Sequence, residues 1–285
     1  MKNPMGLFLL CFCWLLALPA AAVELIDSAT LAQRLGQQSL LLIDAESPQD
    51  YRRAHIPGAL NLHYQTLEDE DENSKTGLPI FPQLAASKLG ALGISNDSRL
   101  VIYDQGNGRA ASALWYILRF LGHERLAILD GGFRAWVAEQ RPVTQQQPSP
   151  ASANYVPRPD VGFALTSAEL QQPQRLILDA RSIAEYSGKE DGGARRAGHI
   201  PGALSFPWDR LGGDLRTFAD EATQRARLKQ AGIDPQQEIV TYCNGGLGRS
   251  TFLLLALERL GYTRVRVYPG SWSEWAADPA RPIER

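Results

Sequence analysis

Residues 99–136 (RLVIYDQGNGRAASALWYILRFLGHERLAILDGGFRAW) and 238–275 (EIVTYCNGGLGRSTFLLLALERLGYTRVRVYPGSWSEW) are two versions of one sequence and align without a gap. A match this long is not the short-period unit of a solenoid; it requires two similar domains of about 120 residues each. Upstream, residues 41–60 (LLIDAESPQDYRRAHIPGAL) pair with 176–204 (LILDARSIAEYSGKEDGGARRAGHIPGAL). Both open on an apolar run ending in Asp and close on His-Ile-Pro-Gly-Ala. The second copy carries extra residues between Tyr186 and His199. Between the copies, residues 139–159 are rich in Pro, Gln and Ser and read as a linker. The chain therefore divides into a leader (1–22), a first domain (23–140), a linker (141–160) and a second domain (161–285).

Within each copy, short apolar runs alternate with longer amphipathic ones. Residues 40–43, 100–103, 127–129, 176–178, 239–242 and 265–268 read as buried strands. Residues 110–121 and 250–260 have helical spacing, stopped by Gly122 and Gly261. Thr166 followed by Glu169 predicts a capping box at the start of another helix. Strand, loop, helix and strand in that order imply an α/β fold: in each domain a central parallel sheet flanked by helices. Ligands of such sheets collect beyond the carboxyl ends of the strands.

The formal net charge of −2, with no basic run, gives no basis for binding nucleic acid. Lys2, the apolar run 6–18 and the Ala20-Ala21-Ala22 site read as a secretory signal peptide, too short for a membrane span. The expected location is periplasmic or secreted, with no membrane contact after cleavage. Cys11 and Cys13 would leave with the leader, so Cys243 remains as the single mature cysteine. Such a thiol is either buried and inert or deliberately reactive.

Cys243 stands directly after the predicted strand 239–242 and before the helix at Ser250. Between them run Asn244, Gly245, Gly246, Leu247, Gly248 and Arg249. The glycines allow consecutive backbone N–H groups to turn inward as an anion cradle, and the helix start adds its positive end. The expectation is a solvent-facing thiol that ionises readily, with residues 244–248 cradling the anion. The matching loop of the first copy is expected to keep the length, but it has Asp104 in place of the sulfur. A carboxylate cannot carry sulfur, so the first domain reads as a scaffold.

The chain resembles the tandem-domain rhodaneses, the thiosulfate and 3-mercaptopyruvate sulfurtransferases. The resemblance rests on Asp179-Ala180-Arg181, Gly198-His199-Ile200-Pro201-Gly202-Ala203, Tyr242-Cys243 with its Gly-rich loop, and Gly270-Ser271-Trp272-Ser273-Glu274-Trp275. It implies two tandem rhodanese domains, the first inactive and the second active; separately, His63 and His123 have no partners at metal-ligand spacing, so no metal or other cofactor is expected, and a monomer is the default. The resemblance further implies a double displacement: Cys243 takes a sulfur from a small anionic donor as a persulfide, and a thiol or cyanide acceptor removes it. Arg181 corresponds to the family's substrate-binding arginine, and Arg249 is read as a second anion clamp. His199 recurs as His55 in the copy without Cys, so it reads as a turn-shaping residue in both. Trp272 and Trp275 read as core or pocket wall.

The loop departs from the usual rhodanese pattern. It reads one residue longer, and Cys243–Arg249–Ser250 also fits the Cys-x5-Arg-Ser loop of cysteine-dependent phosphatases and arsenate-type enzymes, whose arginine forks onto an oxyanion. A non-catalytic sulfur carrier is the remaining alternative.

Overall fold

Runs of Leu, Ile and Val that are apolar on both faces suit strands covered by helices on each side. The computed structural model describes residues 23–37, 39–68, 81–170, 174–245 and 247–285. The expected leader, 1–22, and Gly246 of the expected cradle lie outside these residues. The first domain comprises β1 (Glu24–Ile26), α1 (Ser28–Arg34), β2 (Leu40–Asp44), α2 (Pro48–Arg53), β3 (Leu60–Asn61), α3 (Pro82–Ala91), β4 (Arg99–Tyr103), α4 (Arg109–Phe120), β5 (Leu126–Leu129) and α5 (Gly132–Ala138). Its five strands are all parallel, in the order β1-β5-β4-β2-β3.

The second domain repeats this with α6 (Ser167–Leu170), β6 (Arg175–Asp179), α7 (Ile183–Tyr186), β7 (Leu204–Ser205), α8 (Glu221–Gln230), β8 (Glu238–Tyr242), α9 (Arg249–Arg259), β9 (Val265–Val267) and α10 (Ser271–Ala277). Its four parallel strands run β7-β6-β8-β9. A single parallel bridge from Ala164 to Val267 stands where the first domain has β1 beside β5. The Thr166–Glu169 capping box forms as read: Glu169 accepts from Thr166 N at 2.8 Å and donates its own N–H to Thr166 Oγ1 at 3.4 Å.

One expectation needs correction. The second loop does not keep the length of the first: α4 starts at Arg109 but α9 only at Arg249, one residue later in the gapless alignment. No residue is inserted: the position that is helical Arg109 in the first copy is the cap Gly248 in the second. The linker 141–160 lies along the protein surface in contact with the first domain. It is strapped to the first domain by Ala153 N–H to Gly90 O (2.9 Å), Arg158 N–H to Leu121 O (2.9 Å) and Asp160 N–H to Phe120 O (2.8 Å).

The two domains share one apolar core, in which Leu114 and Ile117 of α4 belong to the same cluster as Phe252 and Leu255 of α9. Gly108, at φ +78°, permits that approach: a Cβ there would come within 2.5 Å of Thr217 and 2.8 Å of Phe252. The active loop is thereby wedged against the start of α4. Among the described residues, no helix is long and apolar enough to cross a membrane.

Candidate active site

β8 is the inner strand between β6 and β9, and its carboxyl end delivers Cys243 to the mouth of the sheet. Gly248 caps α9 with φ +116°, a conformation that a side chain rarely adopts, and gives its N–H to Thr251 Oγ1 at 3.0 Å. The chain thus reverses between Cys243 and α9 and brings the helix start back beneath the sulfur.

The thiol does not face solvent: Cys243 is only 2% exposed. Its surroundings are nonetheless partly polar. Ser250 Oγ donates to Sγ at 3.5 Å, and Ser271 Oγ lies 4.0 Å from it. Ser271 Oγ also accepts the Cys243 N–H at 3.2 Å and donates to Tyr268 O at 3.0 Å. Ser271 holds φ +53°, unusual for a residue with a side chain. Its counterpart in the first domain is Gly132, at φ +55°. Sequence reasoning quoted Ser271 only as part of a motif; its signal was the Gly-to-Ser difference between the copies.

The rest of the loop is braced from outside. Asn244 Nδ2 donates to Gly192 O, and Asn244 O accepts from Ser273 N (2.6 Å) and Ser273 Oγ (2.8 Å). A Cβ on Gly245 would meet Ser273 Oγ at 2.6 Å, so glycine is needed for this close approach. Leu247 is buried, and Gly246 lies outside the described residues.

The first domain shows what such a loop can hold. Asp104 Oδ1 accepts the N–H groups of Gly106 (2.7 Å) and Gly108 (3.1 Å), and Oδ2 accepts that of Ala111 (3.2 Å). The buried Asp104 side chain is there gripped by three backbone donors, which replace the water it loses inside the protein. Gly106, Gly108 and Ala111 align with Gly245, Leu247 and Ser250.

A model of the rhodanese-like domain matches residues 27–139 and again 164–278. The thiosulfate sulfurtransferase of Azotobacter vinelandii is 34% identical over 270 residues, covering 91% of this chain and 96% of that protein. The chain belongs to the rhodanese family. A probable 3-mercaptopyruvate sulfurtransferase of Pseudomonas aeruginosa is likewise 34% identical over 283 residues, covering 92% of this rhodanese and 98% of the relative. The crystal structure of a 3-mercaptopyruvate sulfotransferase from Escherichia coli superposes with a TM-score of 0.79 at 26% identity, over 88% of this chain and 100% of that one. This protein is an enzyme of the rhodanese sulfurtransferase type, with two rhodanese-like α/β domains.

Both arginines assigned to the site bind carboxylates of this rhodanese, although Arg181 Nη1 is buried without a hydrogen-bond partner among the described residues. Arg181 is fully buried; Nε lies 3.0 and 3.1 Å from the Asp179 carboxylate oxygens, and Nη2 donates to Asp179 (2.7 Å) and to Gly198 O (2.7 Å). Its cation lies near the rings of Trp272 (4.8 Å to the centroid) and Tyr242 (5.6 Å). Tyr242 Oη closes the group with a 2.5 Å bond to Asp179. The guanidinium of Arg181 neutralises the Asp179 carboxylate beneath the site and offers solvent no surface, while Nη1 keeps an unused donor.

Arg249 lays Nη1 (2.5 Å) and Nη2 (3.0 Å) on the Glu185 carboxylate. Glu185 also completes the capping box of α7 with Ser182. Burial pushes the Glu185 carboxyl up, but the Arg249 fork and the Ser182 N–H outweigh it and leave it below the usual carboxylate range. Arg249 thus ties the active loop to the start of the insertion and is not a free clamp. The phosphatase reading loses its oxyanion fork by the same contact.

His199 and His55 behave alike. Each gives Nδ1–H to the carbonyl of a tyrosine, Tyr186 or Tyr51, at 2.8 Å and stacks on that ring at 3.7 or 3.8 Å. The histidine shapes the turn in both copies. Trp272 and Trp275 are buried core residues.

Proposed function

We propose that Cys243 carries a sulfane sulfur from a small anionic donor, thiosulfate or 3-mercaptopyruvate, to cyanide or a thiol. The supporting observation is the Asp104 cradle: the aligned loop of the first domain, one residue shorter, presents three backbone donors to a carboxylate where the second domain has its sulfur. With thiosulfate, the Cys243 thiolate attacks the outer sulfur, a new S–S bond forms, the donor's S–S bond breaks, and sulfite leaves with the electron pair. With 3-mercaptopyruvate the broken bond is C–S, and the carbon fragment leaves as the enolate that takes up a proton to give pyruvate. Cyanide then attacks the outer sulfur of Cys–S–S⁻, departs as thiocyanate and regenerates the thiolate. Backbone N–H groups of the loop hold the persulfide charge as an oxyanion hole would.

Intact-mass measurement after incubation with each donor tests this. A gain of about 32 Da that cyanide removes, absent in Cys243→Ser, is the expected result. No gain with any donor sinks the proposal. We also infer export, on the strength of Lys2, the apolar run 6–18 and Ala20-Ala21-Ala22; an amino terminus at Val23 in protein recovered from outside the cytoplasm is the expected finding.

A further inference from the structure

Arg181 is buried and Arg249 is paired with Glu185, so neither site arginine of the catalytic domain is an exposed, unpaired cation. The first domain offers one. Arg109 opens α4, is exposed, and makes no ion pair among the described residues. Its side chain runs along the active loop, with Cβ and Nε both 3.8 Å from where a Gly248 side chain would begin. The guanidinium carbon stands 5.7 Å from the ring centroid of Trp208, which belongs to the second domain. Stacking of this kind occupies the face of the cation and leaves its N–H edges free.

The placement is held across the domain boundary. Ser112, one turn along α4, donates Oγ to Gly248 O at 3.3 Å and lies 3.2 Å from Thr251 Oγ1. Beside these contacts a cleft of 190 Å³ opens between the domains, lined by Glu46, His63, Tyr64, Asn107, Arg109 and Gly248. Of its acidic groups, Glu46 is already accepting the Gln105 N–H at 2.9 Å. Tyr64 keeps its proton: burial, and after it the Glu68 carboxylate, push the phenol up to about 12, with Arg109 acting against them and Cys243 and Glu46 adding to the rise. The cleft therefore presents a cation and a hydroxyl donor beside the loop that carries the sulfur.

We propose that Arg109, assisted by Tyr64, binds the charged end of the sulfur donor, so that the domain without a thiol selects the substrate of the domain that has one. The ligand is a small anion with a carboxylate or sulfonate-like group at one end and its reactive sulfur over Cys243. A planar guanidinium edge matches two oxygens of such a group. This rests on the sulfur-transfer reading for its choice of substrate, and the test separates the two.

Cys243 in the full chain is alkylated with iodoacetate or with iodoacetamide, and the rate at its own peptide is followed by mass. Arg109→Gln is expected to slow the anionic reagent about tenfold and leave the neutral one within twofold; Arg109→Lys should keep part of the preference. In steady-state assays Arg109→Gln should raise KM for thiosulfate or 3-mercaptopyruvate about tenfold with kcat within twofold, and Tyr64→Phe should raise it about threefold. An unchanged reagent ratio together with unchanged KM overturns the proposal, as does an equal loss with both reagents, which would mark Arg109 as merely structural. Anion preference that depends on Arg109 in a protein that takes sulfur from no donor would support the anion site and defeat the sulfur-transfer reading instead. Should Arg109→Gln fail to fold, Arg109→Lys is read for the same ratio.

Discussion

Gly132 and Ser271 occupy matching positions in the two domains with nearly the same backbone twist, φ +55° and +53°. In the first domain a Cβ at Gly132 would meet Asp104 O at 2.3 Å. In the second the position accepts a side chain, and that side chain reaches the Cys243 N–H and approaches Sγ. A left-handed conformation costs a residue with Cβ about 1–2 kcal/mol. The strain is accepted where the sulfur is, and avoided where it is not.

Ser271→Ala keeps the strain and removes the hydroxyl, leaving the buried Cys243 N–H without that acceptor. A loss of about 1–2 kcal/mol in denaturant unfolding is expected. Ser271→Gly should recover about 1 kcal/mol of it by releasing the twist. Both variants should form the persulfide several-fold more slowly. Equal stability of the two would show that no strain is stored there.

Asp104 satisfies three buried N–H groups, so Asp104→Ala should destabilise the protein by about 2–3 kcal/mol while Cys243 chemistry is weakened only through the shared core. Asp104→Asn should cost less, since its carbonyl can still take the Gly106 and Gly108 donors. Thermal melts decide the order; an Ala variant as stable as the parent would mean the cradle closes on its own or fills with water.

Asp44 and Asp179 align, but the second has Arg181 on its carboxylate and the first has only Glu46 at the matching position. Burial accordingly raises the Asp44 carboxyl from its ordinary 3.8 to about 6, against the Glu46 N–H and Tyr103 hydroxyl that favour the ion. Between those values the folded chain holds a proton that the unfolded chain has released. Stability from this group therefore falls as pH rises from about 4 to about 6 and stays low above that. The change is worth about 3 kcal/mol at most. Asp44→Asn should thus be the more stable form at pH 8, with the advantage gone by about pH 4; a pH-independent difference in urea midpoints would refute this.

The Glu185–Arg249 pair makes the opposite pH contribution. Because the Glu185 carboxyl is held below its ordinary 4.5, the pair's stabilisation is complete above that value and is lost as pH falls through the lowered one. Glu185→Gln should cost about 2 kcal/mol at pH 7, discounted for the partial exposure of Arg249, and should loosen the Gly192–Asn244 contact. Faster proteolysis within residues 187–198 would report it. Arg249→Lys should give a similar loss, because a point charge cannot make both bonds.

What the sequence determined by itself was whatever local order and repetition encode. The duplication announced two domains, the apolar runs placed β2, β4, β5, β6, β8 and β9 to within about two residues, and the Thr166–Glu169 spacing specified its cap. Cys243 was legible because one strand end has sulfur where its twin has Asp104. Tertiary structure alone decided what each charged or polar group faces. Arg181 and Asp179 lie two residues apart, yet their sealing depends on Tyr242 and Trp272 closing over them; Arg249 was claimed by Glu185 64 residues away. The burial of the thiol, the reach of Ser271 and the crossing of Arg109 into the second domain are likewise contacts between distant segments. Periodicity reports which face of an element is apolar; it carries no record of which partner that face, or its charges, will meet.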